Sequence, residues 1–417
     1  MVGQLNSKVS ILSLGLLMVV VAMFSLSILS NSTFNYSTDA LAQPFIQTVK
    51  HRDLVINLGN GIQTSAQLTI PAVGKGPFPG VLLVAGSGAV DMNETLSPDS
   101  KPFWQIAQYL SERGFAVLRY DKRGIGANSQ IIDTNIWGNL TFNDLKNDAE
   151  IALGVLAQQP EVDPNKITLI GHSEGTIIAP RIVIDQENKT NSTAIKNIVL
   201  MGSAATTMSD LAYYQKVGIA LEYMHQVLDK NGTGSISVEG AIQDPLVGRF
   251  IVANFGNDTT SEFIDIERQV KPLLEKAFEE FTQADVNARC DNPEGCPIWF
   301  NSAVNLEPNV SVIGNLSKST SVLMLNGEND PLTPVQQSFL LEQRLTEVDH
   351  PDHTLITYPG LGHTFAISPQ WSTGLGPIEQ YVLSDLHSWL SHRTHGLLGV
   401  LSDNRVEQAQ NNTIVPS

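Results

Sequence analysis

The pentapeptide Gly171-His172-Ser173-Glu174-Gly175 follows a strand-like run, Ile167 to His172, and opens into a helix-like one. A serine at so sharp a strand-to-helix turn presents its hydroxyl out of the turn, and glycines on both flanks let the backbone bend that tightly. Ser173 is therefore a candidate nucleophile. Taken alone, the same five residues suit an ordinary loop between strand and helix, so the partners must decide. Asp330, in "LNGENDPLTP", follows a strand-like run ending near Asn326, and His363, in "YPGLGHTF", follows one ending near Tyr358. A serine hydroxyl is a poor nucleophile until a histidine removes its proton, and a carboxylate fixes the imidazole tautomer and stabilises the imidazolium. Singly, Asp330 also suits a turn before Pro331, and His363 a glycine-bounded loop. In the order Ser, Asp, His, each after its own strand, the three form an expected catalytic triad.

Such chemistry also needs donors preset for a developing oxyanion, usually two backbone amides. The amide of Glu174, directly after the nucleophile, is one. "VAGSGAVD", after an earlier strand-like run, supplies the other at Ser87, ahead of Gly88.

The elements that must position these residues alternate along the chain. Gly80 to Gly86, Phe115 to Asp121, Ile167 to His172, Ile198 to Ala204, Ser321 to Gly327 and Thr354 to Gly360 read as strands, apolar enough for burial on both faces of a parallel sheet. Phe103 to Arg113 and Phe142 to Gln158 have helical spacing between them. The pattern predicts a doubly wound, mostly parallel α/β fold, in which functional residues gather at the carboxyl ends of strands. The alternation breaks between about Ala205 and Ser317, where helix-like stretches cover Leu211 to Leu228, Leu246 to Ala253 and Glu262 to Phe281. So long a gap predicts an inserted, mainly helical cap. The expected division is a signal peptide or membrane anchor over 1–42, a core over 43–205, the cap over 206–317, the rest of the core over 318–395 and a disordered tail over 396–417.

The stretches "GVLLVAGSGAVDMNET", "KPFWQIAQYLSERGFAVLRYDKRGIGANS", "GHSEG", "NGENDPLTP" and "YPGLGHTF" resemble the α/β-hydrolase superfamily, specifically its serine aminopeptidase-like or dienelactone hydrolase-like subgroup. The resemblance runs from about Leu68 to Arg393 outside the cap, where "LAYYQ" is a faint echo. It implies Ser173, Asp330 and His363 as the triad, with no metal or other cofactor in the chemistry. "DKRGIGANS" departs from the family's usual ending at Ala127 to Gln130. Within it, Asp121 and Arg123 read as a structural ion pair.

Composition narrows the function further. The 417 residues carry a net charge of −17 with no Lys/Arg run to track a phosphate backbone, so a nucleic-acid partner is not expected. Val9 to Thr38 holds no charged residue and is almost wholly apolar from Ile11 to Leu29; with "DALAQ" behind it, it reads as a cleaved signal or a retained membrane anchor. Asn-x-Ser/Thr triplets recur from Asn31 to Asn411, Asn93, Asn231 and Asn309 among them, raising the expectation of a glycosylated surface protein. Cys290 and Cys296, the only cysteines, are spaced for a short disulfide loop, though two free thiols fit as well. "DKNGTGSISVEG", Asp229 to Gly240, resembles a calcium-binding loop at its first six positions but lacks the carboxylate at the twelfth, and reads better as a solvated turn. "HSWLSHRTH" reads as a basic helix end. The expectation is an exported serine hydrolase acting on small carboxylic esters through an acyl-enzyme, with short peptides or amides second and a catalytically silent binding protein as the competing class.

Overall fold

Successive residues of a strand point to opposite faces, and the central strands use this to fill two layers at once. Leu82 and Val84, Leu169, Ile198 and Leu200, and Val322 and Met324 pack into one hydrophobic cluster. Their neighbours Val81 and Leu83, Ile170, Val199 and Met201, and Leu323 and Leu325 pack into the other. A strand buried on both faces needs helices on both faces, and the interleaved segments supply them. The computed structural model describes residues 48–190, 192–256, 262–283 and 297–394.

The main sheet has eight strands: β1 (Val49–Gly59), β2 (Ile62–Pro71), β3 (Phe78–Val84), β4 (Ala116–Tyr120), β5 (Val162–His172), β6 (Ile195–Met201), β7 (Ser321–Gly327) and β8 (His353–Tyr358). Their spatial order is β1-β2-β4-β3-β5-β6-β7-β8. From β4 to β8 every pairing is parallel, while β1 and β2 join as an antiparallel hairpin at one edge. Helices α1 (Pro102–Ser111), α2 (Phe142–Ala157), α3 (Gly175–Glu187), α4 (Val335–Glu347) and α5 (Gln380–Thr394) cover it. α1 and α5 lie on one face and α2, α3 and α4 on the other. α2 begins where sequence expects it, because Thr141 accepts from the Asp144 amide while the Asp144 carboxylate accepts from the Thr141 amide.

All six expected core strands are present. The β1–β2 hairpin was not among them, and the insertion between β6 and β7 is less purely helical than expected. Phe263–Asp265 pairs with Ser235–Ser237 as a small antiparallel ribbon, although the sequence read helix from Glu262. The insertion, ribbon included, builds a separate small core around Val217, Met224, Phe250, Ile264 and Leu274. Asp229 spends its carboxylate on the amides of Thr233 (2.9 Å) and Gly234 (2.7 Å), which closes its loop as a turn. No group of three metal-ligating side chains occurs among the described residues. Arg393 pairs with Asp352 at the end of α5. The N-terminal apolar segment, both cysteines and the C-terminal tail lie outside the described residues. Among the described residues, no helix is long and apolar enough to cross a membrane.

Asn309 corrects one sequence expectation. It is 1% exposed, and its side-chain amide donates to the carbonyls of Thr176 (3.0 Å) and Ala204 (2.8 Å), so it has no nitrogen free for a glycan in the folded protein. It ties the returning end of the insertion to α3 and to the loop after β6. Asn309→Ala strands two buried carbonyls, and each lost buried bond costs about 1–3 kcal/mol. Urea melts should therefore show a lower midpoint with an unchanged slope; an unchanged midpoint would remove Asn309 from the list of tethers.

Candidate active site

At the end of β5 the backbone reverses in a space too small for side chains. A Cβ on Gly171 would sit 2.2 Å from the Gly175 carbonyl oxygen, and one on Gly175 would sit 2.0 Å from that of Val84. Only glycine fits at either place. Ser173 between them is forced to φ 53°, a left-handed conformation that costs a non-glycine residue about 1–3 kcal/mol. Its amide donates to the Met201 carbonyl (2.9 Å), and its carbonyl accepts from Thr176 Oγ1 (2.6 Å). His172 and Glu174 are buried while Ser173 is partly exposed, so the turn pushes the serine out of the core.

Asp330 and His363 reach the same edge from β7 and β8. His363 Nδ1 donates to Asp330 Oδ2 at 2.8 Å, and the carboxylate also accepts from the amides of Leu332 (2.8 Å) and Thr333 (3.0 Å) and from Thr333 Oγ1 (2.7 Å). Burial alone would raise the Asp330 carboxyl; the charge and hydrogen bond of His363 and the Thr333 donors outweigh it and hold the carboxyl below its ordinary range. Gly202, at φ 61°, makes room for the imidazole, since a Cβ there would lie 3.3 Å from His363 Cε1. Ser173 is hydrogen-bonded to Met201, the residue before Gly202, so serine and imidazole flank one dipeptide. No Ser173–His363 hydrogen bond forms among the described residues; in sites without substrate this contact is often long and tightens on binding.

Ser87 and Gly88 follow β3 and pass beside the serine. A Cβ on neighbouring Gly86 would be 3.0 Å from Ser173 Cβ. Ser87 is exposed, and Glu174 immediately precedes α3. Among the described residues, neither the Ser87 nor the Glu174 amide donates a hydrogen bond within the protein, so both are free to face an oxyanion.

The pair proposed from "DKRG" does not form. Arg123 reaches α2 instead, donating to Asp144 (2.8 Å) and Asp148 (2.7 Å). Asp121 accepts from the Met92 amide (2.6 Å), and burial pushes its carboxyl up to about 6 against the pull of that bond. The two side chains thus hold different segments: Asp121 the loop after β3, Arg123 the helix behind it.

A second buried pair stands beside these residues, and sequence reasoning missed it. Glu94 Oε1 accepts from the Gly86 amide (2.8 Å) and meets His172 Nδ1 at 2.9 Å, while His172 Nε2 donates to the His363 carbonyl at 3.0 Å. One carboxylate thereby links the loop after β3, the turn after β5 and the loop carrying His363. The His172 and His363 rings lie 4.7 Å apart. Burial opposes both charges, but their mutual attraction and hydrogen bond prevail: Glu94 is held below the usual carboxyl range, with help from the Gly86 amide, and His172 is raised above the usual imidazole range. His172 was visible next to the serine, but 78 residues separate it from Glu94, and nothing in their spacing joins them.

The pair has a signed pH dependence. The raised His172 contributes stability that is full below its unfolded pKa and lost as pH rises through its folded one. The lowered Glu94 contributes stability that is present above its unfolded pKa and lost as pH falls through its folded one. Removing one partner of a buried pair costs about 3–5 kcal/mol. Glu94→Gln should therefore lower urea stability by that order near neutrality, with a deficit that narrows towards strong acid and towards alkali; a deficit independent of pH would contradict an ionised pair.

Comparison with known proteins adds relatives to this geometry. The family model "Serine aminopeptidase, S33" matches residues 98–272, and that of "TAP-like protein" matches residues 284–385. The chain is 31% identical over 192 residues to Esterase EstD of Thermotoga maritima, covering 44% of this chain and 41% of that protein. It is 30% identical over 131 residues to Esterase FrsA of Yersinia pestis, covering 31% of this chain and 28% of that one. The matches thus span less than half the length of either relative. A solved bacterial heroin esterase gives a TM-score of 0.47 at 15% identity, covering 83% of this chain and 85% of that one, a loose likeness. With β4 to β8 parallel, a glycine-locked serine turn after β5 and two family models meeting within the insertion, the chain has the α/β-hydrolase fold.

Proposed function

We propose that the protein is a serine hydrolase that cleaves carboxylic esters of small molecules through Ser173, His363 and Asp330. The observation that carries this reading is the strained, partly exposed Ser173, held beside a buried His363–Asp330 pair with two free amides next to it. In the first half-reaction His363 Nε2 takes the Ser173 proton as Oγ attacks the ester carbonyl. The resulting oxyanion lies against the Ser87 and Glu174 amides. Its collapse breaks the bond to the alkoxide, which leaves with the proton from His363, and Ser173 keeps the acyl group. In the second half-reaction His363 takes a proton from water, whose oxygen attacks the acyl carbon, and the acid leaves as Ser173 regains its proton. Asp330 remains ionised throughout and stabilises the imidazolium.

Esters are favoured over peptides because the relatives matched are named as esterases. The family description keeps an aminopeptidase reading in view, and this would require a free carboxylate for the substrate ammonium. Among the carboxylates of the insertion, Glu267 is committed to His225 and Lys271, whereas Glu222 accepts a 3.4 Å contact from Tyr214. The inserted segment touches the Asp330 loop directly, since Gln215 donates to the Leu332 carbonyl at 2.9 Å. Burial raises the Tyr214 phenol, and the charges of Glu222 and Asp330 add to the rise. The Gln215 contact supports a part for the insertion in substrate selection. The apolar run from Ile11 to Leu29 supports export, with the domain secreted or membrane-anchored outside the cytoplasm.

Ser173→Ala should reduce kcat/KM on p-nitrophenyl esters by a factor on the order of 10^4 to 10^6 while leaving the urea midpoint near that of the parent. Unchanged ester turnover by the folded variant would reject the assignment. Aminoacyl-anilides measured alongside decide between ester and peptide: faster turnover of the anilides would reverse the preference stated here.

A further inference from the structure

Lys122 follows β4 and is 5% exposed, an unusual setting for an ammonium. Its Nζ donates to the Gly86 carbonyl (2.5 Å) and to Glu174 Oε2 (3.0 Å). Trp299, from the insertion, donates its indole N–H to the other oxygen of Glu174. Placing this pair in the core costs several kcal/mol in desolvation that its attraction only partly returns, so stability alone is a weak reason for it.

The two groups it holds are the two that matter for an oxyanion. The Gly86 carbonyl and the Ser87 N–H belong to one planar trans peptide, so they point in opposite directions. Fixing the oxygen on Lys122 fixes the direction of the Ser87 N–H, and a cation on that oxygen makes the N–H a stronger donor. The Gly86 amide is held separately by Glu94, so the peptides on both sides of Gly86 are fixed. Glu174, held by its side chain, contributes the other amide. We propose that Lys122 is a positioning residue for the oxyanion hole, orienting and polarising the Gly86–Ser87 peptide and anchoring Glu174 through a single ammonium. Through Trp299, the same carboxylate links the insertion to the hole.

This inference rests on the serine-hydrolase reading, and the test separates the two. The deciding variant is Lys122→Met/Glu174→Gln, which removes both buried charges together and leaves neither stranded; Lys122→Met alone leaves the Glu174 charge bare. Each is compared with the parent for kcat and KM on a p-nitrophenyl ester and for inhibition by an aryl trifluoromethyl ketone. That ketone bonds to Ser173 Oγ, passes the serine proton to His363 and presents an oxyanion to the hole. Loss of one oxyanion donor typically costs 10^2 to 10^3 in kcat. The double variant should lose about 100-fold in kcat with KM within about 3-fold of the parent, and ketone affinity should weaken by a factor like that for kcat/KM. A folded double variant that keeps parent-like kcat and ketone affinity overturns the inference, as does one that loses kcat while binding the ketone normally. If parental turnover and ketone binding survive Ser173→Ala, the serine-hydrolase reading itself fails and takes the inference with it.

Discussion

The structure around Ser173 depends on one steric constraint: backbone packed against backbone at Gly171, Gly175 and Val84. This contact leaves no room for a side chain on either glycine, and it sets the turn that holds Ser173 in a left-handed conformation. The strain is affordable because the surroundings over-determine it: the serine amide and carbonyl are both hydrogen-bonded, and the helix behind begins immediately. Everything proposed for catalysis follows from the serine being outside the core while its neighbours are inside.

Parallel strands deliver the remaining groups from distant parts of the chain, and buried, hydrogen-bonded pairs of ionisable side chains then hold the deliveries together. Asp330 with His363 links the loops after β7 and β8; Glu94 with His172 links these to the loop after β3; Lys122 with Glu174 links the end of β4 to the turn after β5. Buried charges are expensive unless paired and hydrogen-bonded, which makes such links sensitive to geometry in a way that apolar contacts are not. An arrangement of this kind favours one relative placement of these five segments, as a preorganised site requires.

Much of this was legible in the sequence because both signals were strong. The apolar runs of β3 to β7 are buried on two faces and carry few polar residues, and a glycine-flanked serine after one of them leaves few alternatives. The β1–β2 hairpin was missed because it is an edge: β1 opens on four polar residues in a row, Lys50 to Asp53, and much of it is exposed, so no buried apolar run marks it. The ribbon at Phe263–Asp265 is three residues long, too short for its period to show against the helix that follows. Asp121 and Arg123 looked like partners because they are two apart, yet the turn sends one towards Met92 and the other towards α2. The network of Glu94, His172, Lys122 and Glu174 was invisible for a different reason. It is made of contacts 52 to 78 residues apart, and no local period encodes those.

The central claim is that the glycine-locked serine is the nucleophile. The most direct measurement is to label the folded protein with a fluorophosphonate probe and locate the adduct by peptide mass spectrometry. The account predicts one stoichiometric adduct on Ser173, formed in step with loss of ester turnover and absent after denaturation. Full loss of turnover with the adduct on another residue, or full labelling of Ser173 with turnover intact, would contradict it.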